Sequence, residues 1–181
     1  MIQWLSKLIF KIIGWRVGGN YPRELDKKIF IAAPHTSNWD FPLGLLSRAI
    51  VNDKISFVAK SSLFKPPLGW IMRALGGVSV NRSKSTNFVR AVVDEYKKRD
   101  RLAIVIAPEG TRKKVEKFKT GFYFIAKQAN IPIIMVFFNY TDKEIFFADP
   151  FYPTDDAKKD IAYIEDQFRG YVGKNPENSF G

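Results

Sequence analysis

The sequence contains no cysteine and only one histidine. Without cysteine, the protein has no disulfide bond, zinc–thiolate site, iron–sulfur cluster or catalytic thiol. A single histidine also excludes a metal site built from several histidines. Because histidine is the side chain that titrates near neutral pH, a reaction that needs a base there depends on His35.

The most apolar segment, residues 1–15, contains Lys7 and Lys11 and is too short to span a bilayer, which takes about 20 residues. The two lysines and the lack of a small-residue cleavage site argue against a signal peptide. On a helix, Gln3, Lys7, Lys11 and Gly14 form a narrow polar stripe. Apolar residues fill most of the remaining surface: Trp4, Leu5, Leu8, Ile9, Ile12 and Ile13. We expect an amphipathic helix on an anionic membrane surface, although a helix packed on the protein's own core would also fit.

Acidic residues are few compared with basic ones, 18 against 29, which gives a formal net charge of +11. The favoured partners are therefore polyanions: nucleic acid, acidic lipid surfaces or small molecules that carry phosphate. The basic residues are scattered and no recognised DNA-binding or RNA-binding motif is present, so we do not expect nucleic acid as a partner.

The length of 181 residues fits one compact domain. Continuous β-rich runs, typical of strands covered on both faces, occur at residues 29–33, 55–59, 78–81, 102–106, 133–139 and 144–148. Helical patterns occur near residues 42–51, 66–75, 86–99, 121–129 and 156–169. This alternation predicts a single α/β domain with a mainly parallel, mixed sheet flanked by helices and functional loops at the strand carboxyl ends. We assign residues 1–20 to the interfacial helix and a linker, and residues 21–181 to the domain.

The first segment of chemical interest follows the first predicted strand, where Asp40 lies five positions after His35. A bend would let the carboxylate accept a hydrogen bond from one ring nitrogen, fix the tautomer and leave the other nitrogen free to act as a base. A lone histidine can also be purely structural. Asp40 can instead be the N-cap of the next helix, because Pro42 suits a first turn.

Three cations come just after predicted strands. Arg112 can bind a phosphate through two parallel hydrogen bonds. Glu109 would be repelled by that phosphate, so we expect it to orient Arg112 or to accept a hydrogen bond from a substrate hydroxyl. Lys60 and Arg82 could face the same anionic group. The alternatives are a surface loop with a local ion pair and ordinary solvated cations.

The order of these segments resembles the glycerolipid acyltransferases of the lysophosphatidic acid (1-acylglycerol 3-phosphate) acyltransferase type. His35 to Asp40 resembles that family's block of His, four residues and Asp. Residues 77–82, Glu109-Gly110-Thr111-Arg112 and residues 131–133 resemble the second, third and fourth blocks. The chain departs from the family pattern at Ala107, where an aromatic residue is usual, and at Lys113, where serine is common.

The resemblance implies transfer of a fatty acyl group from acyl-CoA or acyl-carrier protein to a hydroxyl of a lysophospholipid, with 1-acylglycerol 3-phosphate as the expected acceptor. It implies catalysis by His35 and Asp40. It implies substrate binding by Lys60, Arg82, Glu109, Gly110, Thr111 and Arg112. Backbone amides around Gly110 are candidate donors to an oxyanion. No metal or redox cofactor is implied.

The resemblance further implies a peripheral protein at the cytoplasmic face of the membrane. Several alternatives stay open on the same fold. The acceptor can be glycerol 3-phosphate, another lysolipid or an acylated amino-acid lipid, and the chain can be a noncatalytic lipid-binding protein. Direct transfer needs no acyl-enzyme, but an intermediate on Ser37 is compatible with the sequence.

Overall fold

The computed structural model describes residues 2–80 and 85–181. Among these residues the strands are β1 Arg16–Gly19, β2 Lys27–Ala33, β3 Ile55–Lys60, β4 Gly77–Val80, β5 Leu102–Ile106, β6 Ile133–Asn139 and β7 Glu144–Phe147. The α-helices are α1 Ile2–Ile13, α2 Asp40–Val51, α3 Gly69–Ala74, α4 Ser85–Lys97, α5 Gly121–Ala129 and α6 Ala157–Phe168. Short 3₁₀ turns lie at Ser61–Phe64 and Pro176–Asn178.

The strands form one sheet in the order β1-β7-β6-β2-β5-β3-β4. Neighbouring strands are parallel except for β6 and β7, which are antiparallel. The prediction of a mainly parallel, mixed sheet is therefore confirmed. The sequence patterns did not predict β1, which lies within the segment assigned to a helix and linker and pairs with β7. The helix expected at residues 66–75 is shorter, because α3 begins only at Gly69, after Pro66 and Pro67.

Helices cover both faces of the sheet. Side chains alternate along each strand, so Ile29 and Ile31 pack under α4, α5 and α6, whereas Phe30 packs under α1 and α2. Burial on both sides explains why the strand sequences are apolar throughout rather than alternating. The carboxyl ends of β2, β3, β4 and β5 lie at one edge of the sheet, which brings the loops that follow them together.

The first helix, α1, packs against α2 through a narrow face. Ser6 and Phe10 are buried there, and the Gln3 side chain donates a hydrogen bond to the Ile50 carbonyl at 2.9 Å. The wide apolar face points away from the protein, with Trp4 68% and Ile12 74% exposed. The interpretation that the helix packs on the protein's own core is confirmed for this narrow face, whereas contact of the exposed face with a membrane stays a prediction. No helix of residues 2–80 and 85–181 is long and apolar enough to cross a membrane.

Candidate active site

His35 and Asp40 form a hydrogen-bonded pair at the carboxyl end of β2. The His35 Nδ1 atom lies 2.9 Å from Asp40 Oδ2, and the two side chains are 26% and 5% exposed. The chain turns in the four residues between the two, so that Asp40 is the first residue of α2. The N-cap position belongs to Trp39, which makes no side-chain capping bond. The alternative that Asp40 is the N-cap is therefore wrong.

The Asp40 carboxylate is held by three donors. Its Oδ2 atom also accepts the Ser37 N–H at 2.9 Å, and its Oδ1 atom accepts the Tyr140 hydroxyl at 2.5 Å. Because an ionised carboxylate only accepts, the neutral imidazole carries its proton on Nδ1 and has a lone pair on Nε2. Nε2 makes no hydrogen bond to any residue that the structure describes. This arrangement is the one that a histidine general base requires.

The loop between His35 and Asp40 is fastened by the carboxyl-terminal segment. The buried Thr36 accepts hydrogen bonds from the backbone and side-chain amides of Asn175, at 3.1 Å and 2.9 Å. Gly173 packs so closely that a Cβ atom there would collide with the Thr36 side chain. The Lys174 ammonium lies 5.0 Å from the centre of the Trp39 ring. The sequence analysis missed these contacts, because no local pattern joins positions 36 and 175.

Glu109 supports His35 rather than Arg112. Its side chain is buried, and Oε1 accepts the His35 backbone N–H at 2.7 Å. Among the described residues Glu109 makes no ion pair, so the expectation that it orients Arg112 is wrong. Burial raises the pKa of Glu109 to about 7, against the lowering effect of the His35 N–H bond. Contact between Glu109 and a substrate hydroxyl stays a prediction.

Gly110, Thr111 and Arg112 form a tight turn after β5. Gly110 has a φ of +65° and its N–H donates to the Ala107 carbonyl at 3.2 Å, so this amide is already engaged. The N–H groups of Thr111 and Arg112 donate to no acceptor in the described residues. Arg112 is exposed and has no carboxylate partner in that part of the chain. Its guanidinium is therefore available to an anionic ligand.

The remaining predicted cations are only partly placed. Lys60 is the last residue of β3, in register with Val80 of β4, so its backbone lies at the edge of the sheet where the loops converge. Arg82 lies outside the described residues. Whether the two reach one anionic group with Arg112 stays a prediction.

A cavity of about 1210 Å³ connects these residues to the space beneath α2. His35, Asp40, Gly110, Thr111 and Arg112 contribute to its lining. The rest of the wall is largely apolar and includes Phe30, Ala32, Gly44, Phe57, Val136 and Phe138. This volume is slightly above the roughly 300–1,000 Å³ that is usual for sites of small molecules and cofactors. The fold thus joins a histidine–aspartate pair, an arginine without a carboxylate partner in the described part of the chain, and an apolar chamber in one site.

The α/β sheet and this site define a class of protein in which a histidine–aspartate pair and an arginine lie beside an apolar cavity at the carboxyl ends of the strands. A model of the acyltransferase family matches residues 15–139, well over half of the chain. The chain belongs to this family.

Two curated relatives and one solved structure illustrate the similarity. The 1-acyl-sn-glycerol-3-phosphate acyltransferase beta of Homo sapiens is 30% identical over 160 residues, which cover 81% of this chain and 56% of that protein. The 1-acyl-sn-glycerol-3-phosphate acyltransferase of Escherichia coli K12 is 32% identical over 119 residues, or 62% of this chain and 47% of that protein. The chain thus spans about half the length of these relatives.

The solved structure supports the fold. The crystal structure of the 1-acyl-sn-glycerophosphate acyltransferase PlsC of Thermotoga maritima superposes with a TM-score of 0.63 at 23% identity. The match covers 92% of this chain and 74% of that one. The arrangement of strands and helices described above is therefore that of the family.

Proposed function

We propose that the protein transfers a fatty acyl group from acyl-CoA or acyl-carrier protein to the free hydroxyl of a lysophospholipid. The proposed acceptor is 1-acylglycerol 3-phosphate, and the product is phosphatidic acid. Family membership and the names of the relatives support this choice. The observation that carries it is the hydrogen bond of His35 Nδ1 to the buried Asp40, which leaves Nε2 without a partner among the residues that the structure describes, in the wall of an apolar cavity.

In the proposed reaction, His35 Nε2 takes the proton of the acceptor hydroxyl as the hydroxyl oxygen attacks the thioester carbonyl. A C–O bond forms, and the C–S bond breaks when the tetrahedral intermediate collapses. The proton on His35 then passes to the thiolate that leaves. Asp40 stabilises the imidazolium in between. Metal and redox cofactors have no part in this scheme.

Two features favour direct transfer over an intermediate on Ser37. The Ser37 Oγ atom accepts the Trp39 N–H at 3.2 Å, and no hydrogen bond joins this oxygen to His35 among the described residues. A serine nucleophile needs such a bond to its base. The amides of Thr111 and Arg112, which have no acceptor of their own, are the proposed donors to the oxyanion.

The substrates divide between the two parts of the cavity. Arg112 would hold the acceptor phosphate, since it lies in the cavity wall without a carboxylate partner among the described residues. The apolar chamber beneath α2 would hold an acyl chain, because burial of each CH₂ group contributes roughly 0.8 kcal/mol. Lys60 and Arg82 are proposed to extend the phosphate site.

The first helix is proposed to hold the protein on the cytoplasmic face of the membrane, as a peripheral protein. Its exposed apolar side chains, Trp4, Leu5, Leu8 and Ile12, would enter the lipid, while Lys7 and Lys11 would contact anionic headgroups. Because α1 packs on α2, and α2 covers the chamber, the lipid surface would lie close to the site.

The combined variant Trp4→Ser, Leu8→Ser and Ile12→Ser tests this attachment without removing the buried Phe10. We expect it to weaken binding to anionic vesicles by on the order of a hundredfold. Phe124→Ser is the control, because it removes an exposed aromatic side chain from α5, on the opposite face of the sheet. Co-sedimentation with vesicles at several salt concentrations measures both. Unchanged binding of the triple variant would show that lipid is contacted elsewhere.

An acceptor panel tests the reaction itself. The protein is incubated with one labelled acyl-CoA, or with the matching acyl-carrier protein, and with 1-acylglycerol 3-phosphate, glycerol 3-phosphate, other lysolipids or an acylated amino-acid lipid. We expect phosphatidic acid as the main product by mass. A different acylated product would replace the proposed acceptor. Lipid binding without any thioester turnover would favour the noncatalytic alternative.

A further inference from the structure

Tyr140 is the tyrosine that contacts the His35–Asp40 pair in the described residues. It follows the last residue of β6, 100 positions from Asp40 in the sequence, and its hydroxyl donates to Asp40 Oδ1 at 2.5 Å. The other carboxylate oxygen receives His35 Nδ1 and the Ser37 N–H. The two oxygens of Asp40 therefore have different partners, and among the described residues only the Tyr140 hydroxyl binds Oδ1.

The phenol stays a hydrogen-bond donor over the working pH range. Burial, together with the bond to Asp40, raises the pKa of Tyr140 well above its ordinary value. A carboxylate that loses a donor from one oxygen can rotate to share its remaining donors differently. The orientation of the His35 ring, which depends on the bond of Nδ1 to Asp40 Oδ2, would then no longer be fixed.

Tyr140 is held both through its ring and through its backbone N–H. The Trp15 ring packs edge-on against it, with centroids 4.8 Å apart, and the Tyr140 N–H donates to the Val172 carbonyl at 3.1 Å. Trp15 is itself fixed to the end of α1, since its N–H donates to the Phe10 carbonyl at 2.8 Å. A continuous path of contacts therefore runs from α1 through Trp15 and Tyr140 to Asp40.

We infer that Tyr140 is a positioning residue, which holds the Asp40 carboxylate in the one rotation that keeps the proton of His35 on Nδ1. It acts through Asp40 and does not touch the reacting atoms. The same path makes the end of α1 a support of the catalytic pair. The effect on the rate rests on the proposed function, whereas the effect on the imidazole does not.

The test compares Tyr140→Phe with Tyr21→Phe. Both variants keep the ring and remove a hydroxyl that donates to an aspartate, since Tyr21 donates to Asp53 at 2.6 Å at the other end of the sheet. We expect Tyr140→Phe to lower kcat about tenfold, with the KM of both substrates changed less than about twofold. Tyr21→Phe should leave kcat unchanged.

The imidazole can be observed directly, because the chain has a single histidine. In ¹⁵N NMR spectra of the free protein, Tyr140→Phe should shift the two ring nitrogens toward a mixture of tautomers, and Tyr21→Phe should not. This readout does not depend on the reaction. Normal imidazole resonances in Tyr140→Phe would overturn the inference. A changed imidazole in a protein without acyl transfer would instead count against the proposed function.

A double-mutant cycle separates positioning from substrate contact. If Tyr140 acts only through Asp40, adding Tyr140→Phe to Asp40→Asn should leave the residual rate unchanged within about twofold. If the double variant is slower than Asp40→Asn by the full factor seen for Tyr140→Phe alone, Tyr140 acts independently of Asp40. A rise in KM without a change in kcat in Tyr140→Phe would mean that Tyr140 contacts a substrate. Either result would overturn the inference. Should Tyr140→Phe not fold, Trp15→Phe keeps the hydroxyl, loosens the ring, and should shift the imidazole in the same direction.

Discussion

The two ends of the sheet contain clusters of similar composition. At the carboxyl end, Asp40 binds the Tyr140 hydroxyl at 2.5 Å and His35 at 2.9 Å. At the amino end, Asp53 binds the Tyr21 hydroxyl at 2.6 Å and the Lys28 ammonium at 3.2 Å. Each cluster thus joins a tyrosine, an aspartate and a basic side chain. Residue types alone would not say which of them does chemistry.

The difference lies in the basic side chain. Lys28 is 1% exposed and uses all three of its protons, on Asp53 and on the Pro22 and Leu25 carbonyls at 2.7 Å and 3.1 Å. Burial lowers the pKa of Lys28, against the opposing effect of Asp53. His35 lines a cavity and has one ring nitrogen unbonded within the described residues. A closed cluster stabilises the fold, whereas a base with a free atom beside a cavity can act on a substrate.

The comparison predicts the largest effect for His35→Ala. Removing a positioned general base should lower kcat by roughly 10²- to 10⁴-fold, because the chain has no second histidine to replace it. Circular dichroism and the thermal midpoint should stay close to those of the parent. Near-normal turnover in the folded variant would remove the basis for calling this end of the sheet catalytic.

At the opposite end, Lys28→Met should cost stability instead of activity. The variant removes the three hydrogen bonds of the buried ammonium, while the partly buried Asp53 keeps Tyr21 and Arg101 as partners, so we expect a cost of about 1–3 kcal/mol of unfolding free energy. Urea unfolding measures this cost, and turnover of the remaining folded protein at low temperature should match that of the parent. Lys27→Met, at the neighbouring and less buried position, serves as the control. A loss of turnover with full stability would contradict the division between the ends.

Local patterns predicted the parts of this molecule that depend on neighbours in sequence. The strands were recognised because both faces of the sheet are covered, which leaves continuous apolar runs. β1 was missed because Gly18 and Gly19 supply no side chains to such a run. Gly19 is there for a backbone reason, since a Cβ atom would collide with the Phe147 carbonyl of β7. An edge strand defined by close approach has no hydrophobic signature.

The hydrogen-bonded pair of His35 and Asp40 could be predicted, but the residues that support it could not. His35 and Asp40 are five positions apart, whereas the partners that hold them, Tyr140 and Glu109, come from loops after β6 and β5. The sequence also does not indicate which way a carboxylate points. The sequence analysis therefore paired Glu109 with Arg112, whereas its carboxylate accepts the backbone N–H of His35. Contacts between loops that follow different strands can be predicted only when the order and register of those strands are known.

A second contrast concerns arginine, and it predicts an effect on substrate binding. Arg101, at the amino end, lies 3.6 Å from both Asp26 and Asp53, while Arg112 has no such partner in the described chain. Arg112→Ala should raise the KM of a phosphate-bearing acceptor about tenfold, with less effect on the acyl donor. Arg101→Ala should leave both KM values unchanged. Steady-state kinetics with each substrate varied in turn measures them, and equal effects on both substrates would contradict the assignment of the phosphate.

The smallest predicted effect concerns buried atoms without partners. At the amino end, the buried ammonium of Lys28 has three acceptors. At the carboxyl end, Glu109 Oε2 is buried and has no hydrogen-bond partner in the described residues. Burial holds the pKa of Glu109 at about 7, above its ordinary value of 4.5. The ionised form of Glu109 is therefore a cost to the folded state, and Glu109→Gln should remove that cost.

The sign of the pH dependence follows from the raised pKa. Below pH 4.5 the carboxyl is protonated in both states, and between pH 4.5 and about 7 only the unfolded chain loses the proton, so the parent becomes less stable as the pH rises. Between pH 6 and 8 the stability of Glu109→Gln should therefore improve relative to the parent by about 1 kcal/mol. Urea unfolding at several pH values measures this difference. Glu165→Gln is the control, because Glu165 also accepts a backbone N–H, from Phe118 at 2.7 Å, but is only partly buried. If the difference in unfolding free energy between Glu109→Gln and the parent stays constant with pH, Glu109 is ionised in the folded protein throughout this range. Its negative charge at the carboxyl end of the sheet would then not destabilise the fold.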